Sequence, residues 1–433
     1  MIVLAVGWAS ISKCPAAWRG PKRVVAAIPM LMKRMSDIPV EILAGASPER
    51  IACRPLPPYS PSAIAFLADL SKALLSRPEP RRYPDIAAFA FWCRKANLRR
   101  LAGAFGSAGH RLGRGLVLHI APSNVPVNFA FSFAFGLLAG NANIVRVPGA
   151  DHPQVAVICE EIERLFSLPE HADIAAMNAL IRYPRNDEVT AALSRSCHAR
   201  VLWGGDATIA HLRAMPTQAR CVDVAFADRY SLCVMAAEAV LTASEPQLRG
   251  LAEGFYNDVF FLDQNACSSP HLILWLGGQE QAEAAMLRFW LAMQRLLASK
   301  GATPALHAVE KFTHLCRTAI HLDAAVSSSR HANDIYRVRL AELPEDIDIH
   351  RGSHGFFFEY VCADLNCLKR IVGERYQTLS CFGVDRQQLI QFVVAEGLIG
   401  IDRVVPVGKA LDIGVIWDGY DLVGTLSRVI SDR

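Results

Sequence analysis

The segment Asp263–Gly278, DQNACSSPHLILWLGG, puts one thiol, Cys267, on a polar turn that leads into the apolar run HLILW. A free cysteine among apolar neighbours is ordinarily packing material, and Cys159, Cys233 and Cys316 sit in such patterns. Cys267 differs because an Asn-Ala pair precedes it and a Ser-Ser-Pro turn follows. In that setting a thiol can serve as a nucleophile if the rest of the chain supplies partners.

A second candidate is the loop Pro122-Ser123-Asn124-Val125-Pro126, which follows the run GLVLHI. Flanking prolines hold one amide, Asn124, at the mouth of a sheet, where it either donates to an oxyanion or caps the next helix. Arg146 closes the run NANIVR and either meets a ribose or phosphate or stays a solvated cation. Gly204-Gly205 after VLW opens a helix, so its amides can receive a phosphate, or the pair is a tight strand-to-helix turn.

Other chemistries find no foothold. There is no GxSxG elbow, no P-loop and no HExxH. Gly103, Gly106 and Gly109 precede the first clear strand, the wrong order for a dinucleotide fingerprint. The 12 cysteines form no CxxC pair and no zinc-spaced cluster, so neither disulfides nor a metal are expected, and a reducing cytoplasm fits best. A net charge of +4 with dispersed Lys and Arg argues against a nucleic-acid surface and suits anionic small ligands. The apolar runs are too short for stable membrane insertion, and MIVLAVGWASISKC lacks the basic start and cleavage site of a signal peptide.

At 433 residues and 52% apolar composition, two or three domains are expected. Residues 1–114 read as a helical N-terminal part, with helices over Ser62–Ser76 and over DIAAFAFWCRKANLRRLAGAF. From Gly115 short apolar strands alternate with helices: GLVLHI, NIVRV, NALIRY and ARVLW, separated by helical segments. That alternation predicts an α/β fold with an open parallel sheet, and ligands beyond the carboxyl ends of its strands. The dinucleotide-binding domain is expected over 115–242, with a boundary near Val240 to Glu245. A second α/β domain carrying Cys267 then covers 243–400 and a C-terminal segment 401–433.

In this order, P-x-N-x-P, a basic residue after the next strand, a glycine turn and a lone cysteine after a long helix resemble the aldehyde dehydrogenase superfamily. YPDIAAFAFWCRKANL, HIAPSNVPVNFAFS, LWGGDATI, DRYSL, DQNACSSP and RVVPVGKALDIGVIWDGYDL are similar to its acyl-CoA reductase branch, the fatty-acid reductase component of bacterial bioluminescence. The resemblance runs from about Pro29 to the end and leaves Met1 to Lys22 unplaced.

The resemblance implies that Cys267 forms an acyl-enzyme from an acyl-CoA or acyl-carrier thioester and that nicotinamide-dependent reduction releases the aldehyde. NADPH is the implied cofactor, with NADH the alternative. It further implies that Asn124 and the Cys267 amide hold the oxyanion, that Pro122 and Ser123 line the nicotinamide side, and that Arg146 lies near the adenine ribose. Gly204 and Gly205 would meet the pyrophosphate, and Glu374 would take the place of the superfamily's ribose-binding glutamate. A homo-oligomer and an acyl-transferase or acyl-protein synthetase partner belong to the same picture. The glutamate with which oxidising members activate water falls at or near Ala225 here, so slow acyl-enzyme hydrolysis is expected, provided neither Asp223 nor Asp228 reaches the site. The competing readings are a dehydrogenase that oxidises aldehyde to acid and a non-catalytic scaffold subunit for an acyl-transfer partner.

Overall fold

A computed structural model describes residues 40–431 except 107–109, 124 and 302. The first half forms β1 (Glu41–Gly45), β2 (His110–Gly113), β3 (Leu116–Ile120), β4 (Ala142–Arg146), β5 (Asn178–Arg182), β6 (Ala199–Trp203) and β7 (Val222–Phe226). Six of these make one sheet in the order β1-β5-β4-β3-β6-β7, parallel except for β1. The connection from β5 to β6 crosses β3, so the strand order reverses between β3 and β6. Crevices form beyond the carboxyl ends of strands at such a reversal, and Pro122 and Gly204 follow those two strands.

Every residue of β3 is buried, as expected for a parallel strand covered on both faces. One of them is His119, whose Nδ1 pairs with Ser132 Oγ at 2.8 Å and whose Nε2 pairs with Asn143 Oδ1 at 3.0 Å. Asn143 Nδ2 in turn donates to Asn178 Oδ1 at 2.8 Å, which completes a polar row across β3, β4 and β5. Burial lowers the His119 pKa to about 4, so the imidazole is neutral and suited to this row. The row leaves no room for a side chain at Gly136 on the covering helix Asn128–Leu138, where a Cβ would stand 2.0 Å from Asn143 Oδ1.

The second sheet contains β8 (Tyr230–Ala236), β9 (Pro270–Leu276), β10 (Ala325–His331), β11 (Ile335–Leu340), β12 (Phe356–Cys362), β13 (Tyr376–Phe382) and β14 (Arg403–Pro406). Their order is β10-β11-β12-β9-β8-β13-β14, with only the β10/β11 pair antiparallel. The chain leaves the carboxyl end of β7 at Phe226 and enters the amino end of β8 at Tyr230. Three residues therefore join the sheets, and the site lies between the carboxyl ends of one and the amino ends of the other.

The C-terminal segment returns to the first half. A small hairpin, β15 (Ile416–Trp417) with β16 (Tyr420–Asp421), brings Tyr420 edge-on to Phe226, and β17 (Ser427–Ile430) pairs antiparallel with β2. Several details differ from the sequence expectations. The change of sheet falls at Ala227–Arg229, ahead of Val240–Glu245. The N-terminal part adds strands β1 and β2 to its helices. The expected helix over DIAAFAFWCRKANLRRLAGAF divides into Pro84–Trp92 and Lys95–Phe105, because the chain turns extended at Arg94 (φ −58°, ψ 136°).

Candidate active site

Cys267 sits on the loop between the helical turn Phe260–Leu262 and β9. The loop begins with Asp263 and Gln264 in the left-handed region, φ +50° and +61°, which non-glycine residues adopt only when the surroundings compel it. Gln264 supplies that compulsion. Its Nε2 donates to the carbonyls of Pro270 and Phe356, each at 2.9 Å, and its Oε1 accepts from Gly355 N at 2.9 Å and Phe356 N at 3.1 Å. The side chain is 2% exposed, so all four bonds lie out of water and tie the loop to β12. Ser231 Oγ donates to the Cys267 carbonyl at 2.6 Å and accepts from Thr378 N at 3.1 Å, anchoring the thiol's own residue to β8 and β13.

Two cavities meet at this loop and share Asp228, Asn265, Ala266 and Cys267. One, of about 550 Å³, spans the sheets: Pro122, Trp203, Gly204 and Gly205 stand at one end, and Phe261, Ile413 and Trp417 are among its apolar walls. The other, of about 680 Å³, is polar and bounded by the helix Ala305–His321 and the loop Arg351–His354. Burial raises the Cys267 pKa; the backbone N–H of Arg229 and the Arg351 guanidinium oppose the rise, and Asp228 and Asp418 add to it. The resting thiol is thus protonated.

The expected contributors are placed unevenly. Pro122, Gly204, Gly205 and Cys267 share the cavity between the sheets. Gly205 opens the helix Asp206–Arg213 with no side-chain cap, and a Cβ there would meet nothing. This open, uncapped helix start beside an apolar cavity fits the phosphates of a dinucleotide. The Ser123 carbonyl pairs with His152 Nε2 at 3.2 Å. Arg146 closes β4, but its guanidinium lies over the Tyr183 ring, 4.7 Å from the centroid, and donates to the Tyr183 carbonyl at 3.3 Å. Glu374 is exposed on the turn before β13. Neither Arg146 nor Glu374 lines either cavity. Asn124 lies outside the described residues.

The expectation of slow acyl-enzyme hydrolysis rests on neither Asp223 nor Asp228 reaching the site, and one of the two does. Ala225 is inside β7, and Asp223 is engaged by Arg200 at 2.8 and 2.6 Å, but Asp228 borders both cavities beside Cys267. The turn after β7 brings it there. Its oxygens are occupied: Arg351 Nη2 donates to both at 2.6 Å, and Arg375 Nη2 approaches one at 3.4 Å. Both oxygens are thereby tied to guanidinium donors.

Sequence reading also missed His271, Arg351 and Asp258. His271 is 3% exposed, stacks on Tyr230 and has an unpartnered Nδ1; burial lowers its pKa to about 3. Its place in β9 four residues after Cys267 was the available signal. Arg351, in the loop HRGSHG, gave none. Asp263, His307 and His354, dispersed in sequence, bring metal-ligating atoms within 4.8 Å of one another, with His354 Nε2 already 2.8 Å from Glu310 Oε2.

Asp258 on the helix Glu245–Val259 accepts from Gly408 N at 2.6 Å and Ala410 N at 2.8 Å, clamping the C-terminal segment at the cavity wall. Burial outweighs these bonds and raises its pKa to about 6. A folded pKa above the unfolded value means that the native state holds the proton more tightly. This group's contribution is therefore full below about pH 4 and lost as pH rises through about 6, at most about 3 kcal/mol for a two-unit shift. Urea midpoints of the wild type should carry this fall between pH 4 and 7, and Asp258→Asn should remove that component of the pH dependence.

The fold matches solved aldehyde dehydrogenases. A NAD-dependent benzaldehyde dehydrogenase from Corynebacterium glutamicum aligns over 85% of this chain and 84% of its own, with 11% identity and a TM-score of 0.57. Aldehyde dehydrogenase 21 from Physcomitrella patens aligns over 85% and 83%, with 12% identity and a TM-score of 0.57. Methylmalonate-semialdehyde dehydrogenase from Oceanimonas doudoroffii aligns over 86% and 87%, with 11% identity and a TM-score of 0.58. No curated protein matches the chain in sequence. Among the described residues no helix is long and apolar enough to cross a membrane. The family model described as acyl-CoA reductase (LuxC) matches residues 94–429, which include the Cys267 loop, both sheets' parallel strands and most of β17. With a thiol at the meeting point of two cavities on an aldehyde dehydrogenase fold, the chain belongs to the acyl-CoA reductase (LuxC) family of oxidoreductases.

Proposed function

We propose that the protein reduces the acyl group of a coenzyme A or acyl-carrier thioester to the aldehyde, with NADPH, through an acyl-enzyme on Cys267. The observation that carries this reading is the position of Cys267, on a loop locked by Gln264 and open to both cavities. The thiol gives up its proton as the donor binds, its sulfur forms a bond to the acyl carbon, and the carrier leaves as its thiol. Gly204 and Gly205 would hold the pyrophosphate of a bound dinucleotide and Pro122 and Ser123 would face its nicotinamide, which would supply a hydride to the acyl carbon; departure of the Cys267 thiolate from that carbon then gives the aldehyde.

The chain's own residues position and protect the reacting carbonyl. Asn124 and the Cys267 amide are the proposed oxyanion donors. Phe131, Phe261, Leu262 and Trp417 offer a hydrocarbon-compatible wall, which favours a fatty acyl group. Both Asp228 oxygens are engaged by Arg351, which disfavours their turning to activate water and favours transfer from a carrier over hydrolysis. Arg146 is the proposed contact to the adenine ribose and Glu374 the proposed ribose-binding glutamate, their side chains moving when the cofactor binds. Homo-oligomerisation and supply of acyl groups by an acyl-transferase or acyl-protein synthetase partner belong to the same proposal.

The test is intact mass after exposure to acyl-CoA of graded chain length, followed by NADPH. Each accepted donor should add the mass of one acyl group, and NADPH should remove it with stoichiometric aldehyde. Acid instead of aldehyde, or release without NADPH, would favour the dehydrogenase reading; no acylation by any donor would refute the acyl-enzyme.

A further inference from the structure

The helix Ala305–His321 is turned inside out. Its only buried residues are Lys311 and Thr318, while Leu306, Val309, Phe312 and Ile320 face outward. Lys311 is 1% exposed, yet no carboxylate lies within 4.0 Å of it among the described residues. Its Nζ donates to the His354 carbonyl at 2.6 Å and lies 6.0 Å from the Tyr336 ring centroid. An ammonium has three donors, so this buried cation has bonding capacity left over. Burial lowers its pKa to about 8; Asp334 and Asp263 act on it electrostatically, but neither lies within ion-pair distance.

Lys311 borders the 680 Å³ polar cavity, as do His314 and Arg317, one and two turns further along the helix. Arg351 and His271 approach from the opposite wall. Of the two carboxylates on this cavity, Asp228 is paired with Arg351, and Glu310 lies 2.8 Å from the His354 imidazole. Three cations, Lys311, Arg317 and Arg351, stand against these two carboxylates, so the polar cavity presents an excess of positive charge on one side of Cys267, and the neighbouring cavity presents apolar side chains on the other.

We infer that the polar cavity is the seat of the phosphate-bearing carrier of the thioester. Resting on the acyl-enzyme reading, this places the donor across Cys267, with its acyl chain among the apolar walls and its phosphates against Lys311 and Arg317. The chemistry required is that of coenzyme A or a phosphopantetheine-bearing carrier, several negative charges at a fixed distance from a thioester. Once the carrier leaves as its thiol, the polar cavity empties while the acyl group stays on Cys267.

Two donors with the same acyl chain test this in the full-length protein: the acyl-CoA and the acyl N-acetylcysteamine thioester, which lacks phosphate. In Lys311→Met the KM for acyl-CoA should rise about tenfold or more, the usual weight of a charge-assisted contact. The KM for the N-acetylcysteamine thioester and for NADPH should stay within about twofold. Removal of a buried, unpaired charge should leave the melting temperature equal or higher, and Arg317→Ala, at the exposed edge, should reproduce the acyl-CoA effect at smaller size. Equal shifts for both thioesters, or no shift for acyl-CoA, would overturn the assignment. A shift confined to NADPH would overturn it in favour of a cofactor phosphate. Failure of the wild type to be acylated by either thioester would instead defeat the acyl-enzyme reading on which it rests.

Discussion

Cys267→Ser should lose acyl-enzyme formation and aldehyde production altogether, by more than about 10⁴-fold, because the nucleophile that splits the reaction into two steps is removed. Its fold should survive: the substitution changes one atom on a half-buried loop residue, and the Ser231 bond to the Cys267 carbonyl involves only backbone on that side. Ten other described cysteines serve as internal controls, since Cys267 alone among them borders both cavities. Intact mass with acyl-CoA, NADPH consumption and a thermal melt on the same sample would separate lost chemistry from lost structure. Normal acylation of the variant would remove Cys267 from the mechanism.

Gln264→Leu should be the most damaging single change at the loop that carries the thiol. It leaves two backbone N–H groups and two carbonyls without partners in a region closed to water. Each orphaned buried group costs about 1–3 kcal/mol, so even with partial relaxation a loss of at least about 3 kcal/mol is expected. The left-handed conformations at Asp263 and Gln264 would lose the contacts that compel them. Reduced kcat together with a lower urea midpoint is the expected signature, against the near-native midpoint of Cys267→Ser. A Gln264→Leu variant with native stability and activity would show that the loop is held by other means.

Much of the architecture was legible because it depends on short-range patterns. The runs GLVLHI, NIVRV, NALIRY and ARVLW became β3, β4, β5 and β6, since a strand buried on both faces reads as a continuous apolar run wherever it pairs. β1 and β2 were not legible. EILAG and HRLG are short, and each is made a strand by a distant partner, β5 and β17. The serine-rich, exposed residues of β10 likewise gave no strand signal, and β11 recruits them by antiparallel pairing.

The same division runs through the site. Local sequence determined that Cys267 would stand on a polar turn before a buried strand, that glycines would open the helix after β6, and that a family-wide set of segments would appear in order. Tertiary structure decided what surrounds the sulfur. Asp228 reaches it because only three residues join β7 to β8, and Arg351 arrives from a loop 84 positions after Cys267 to occupy that carboxylate. Likewise, the apolar spacing of Ala305–His321 predicts a helix but not which face turns inward, because the hydrophobic pattern reports preference while the cavity beneath rewards charge. A side chain's chemistry is set by its own atoms, but its partners, burial and net charge come from chain segments that meet only after the sheets have formed.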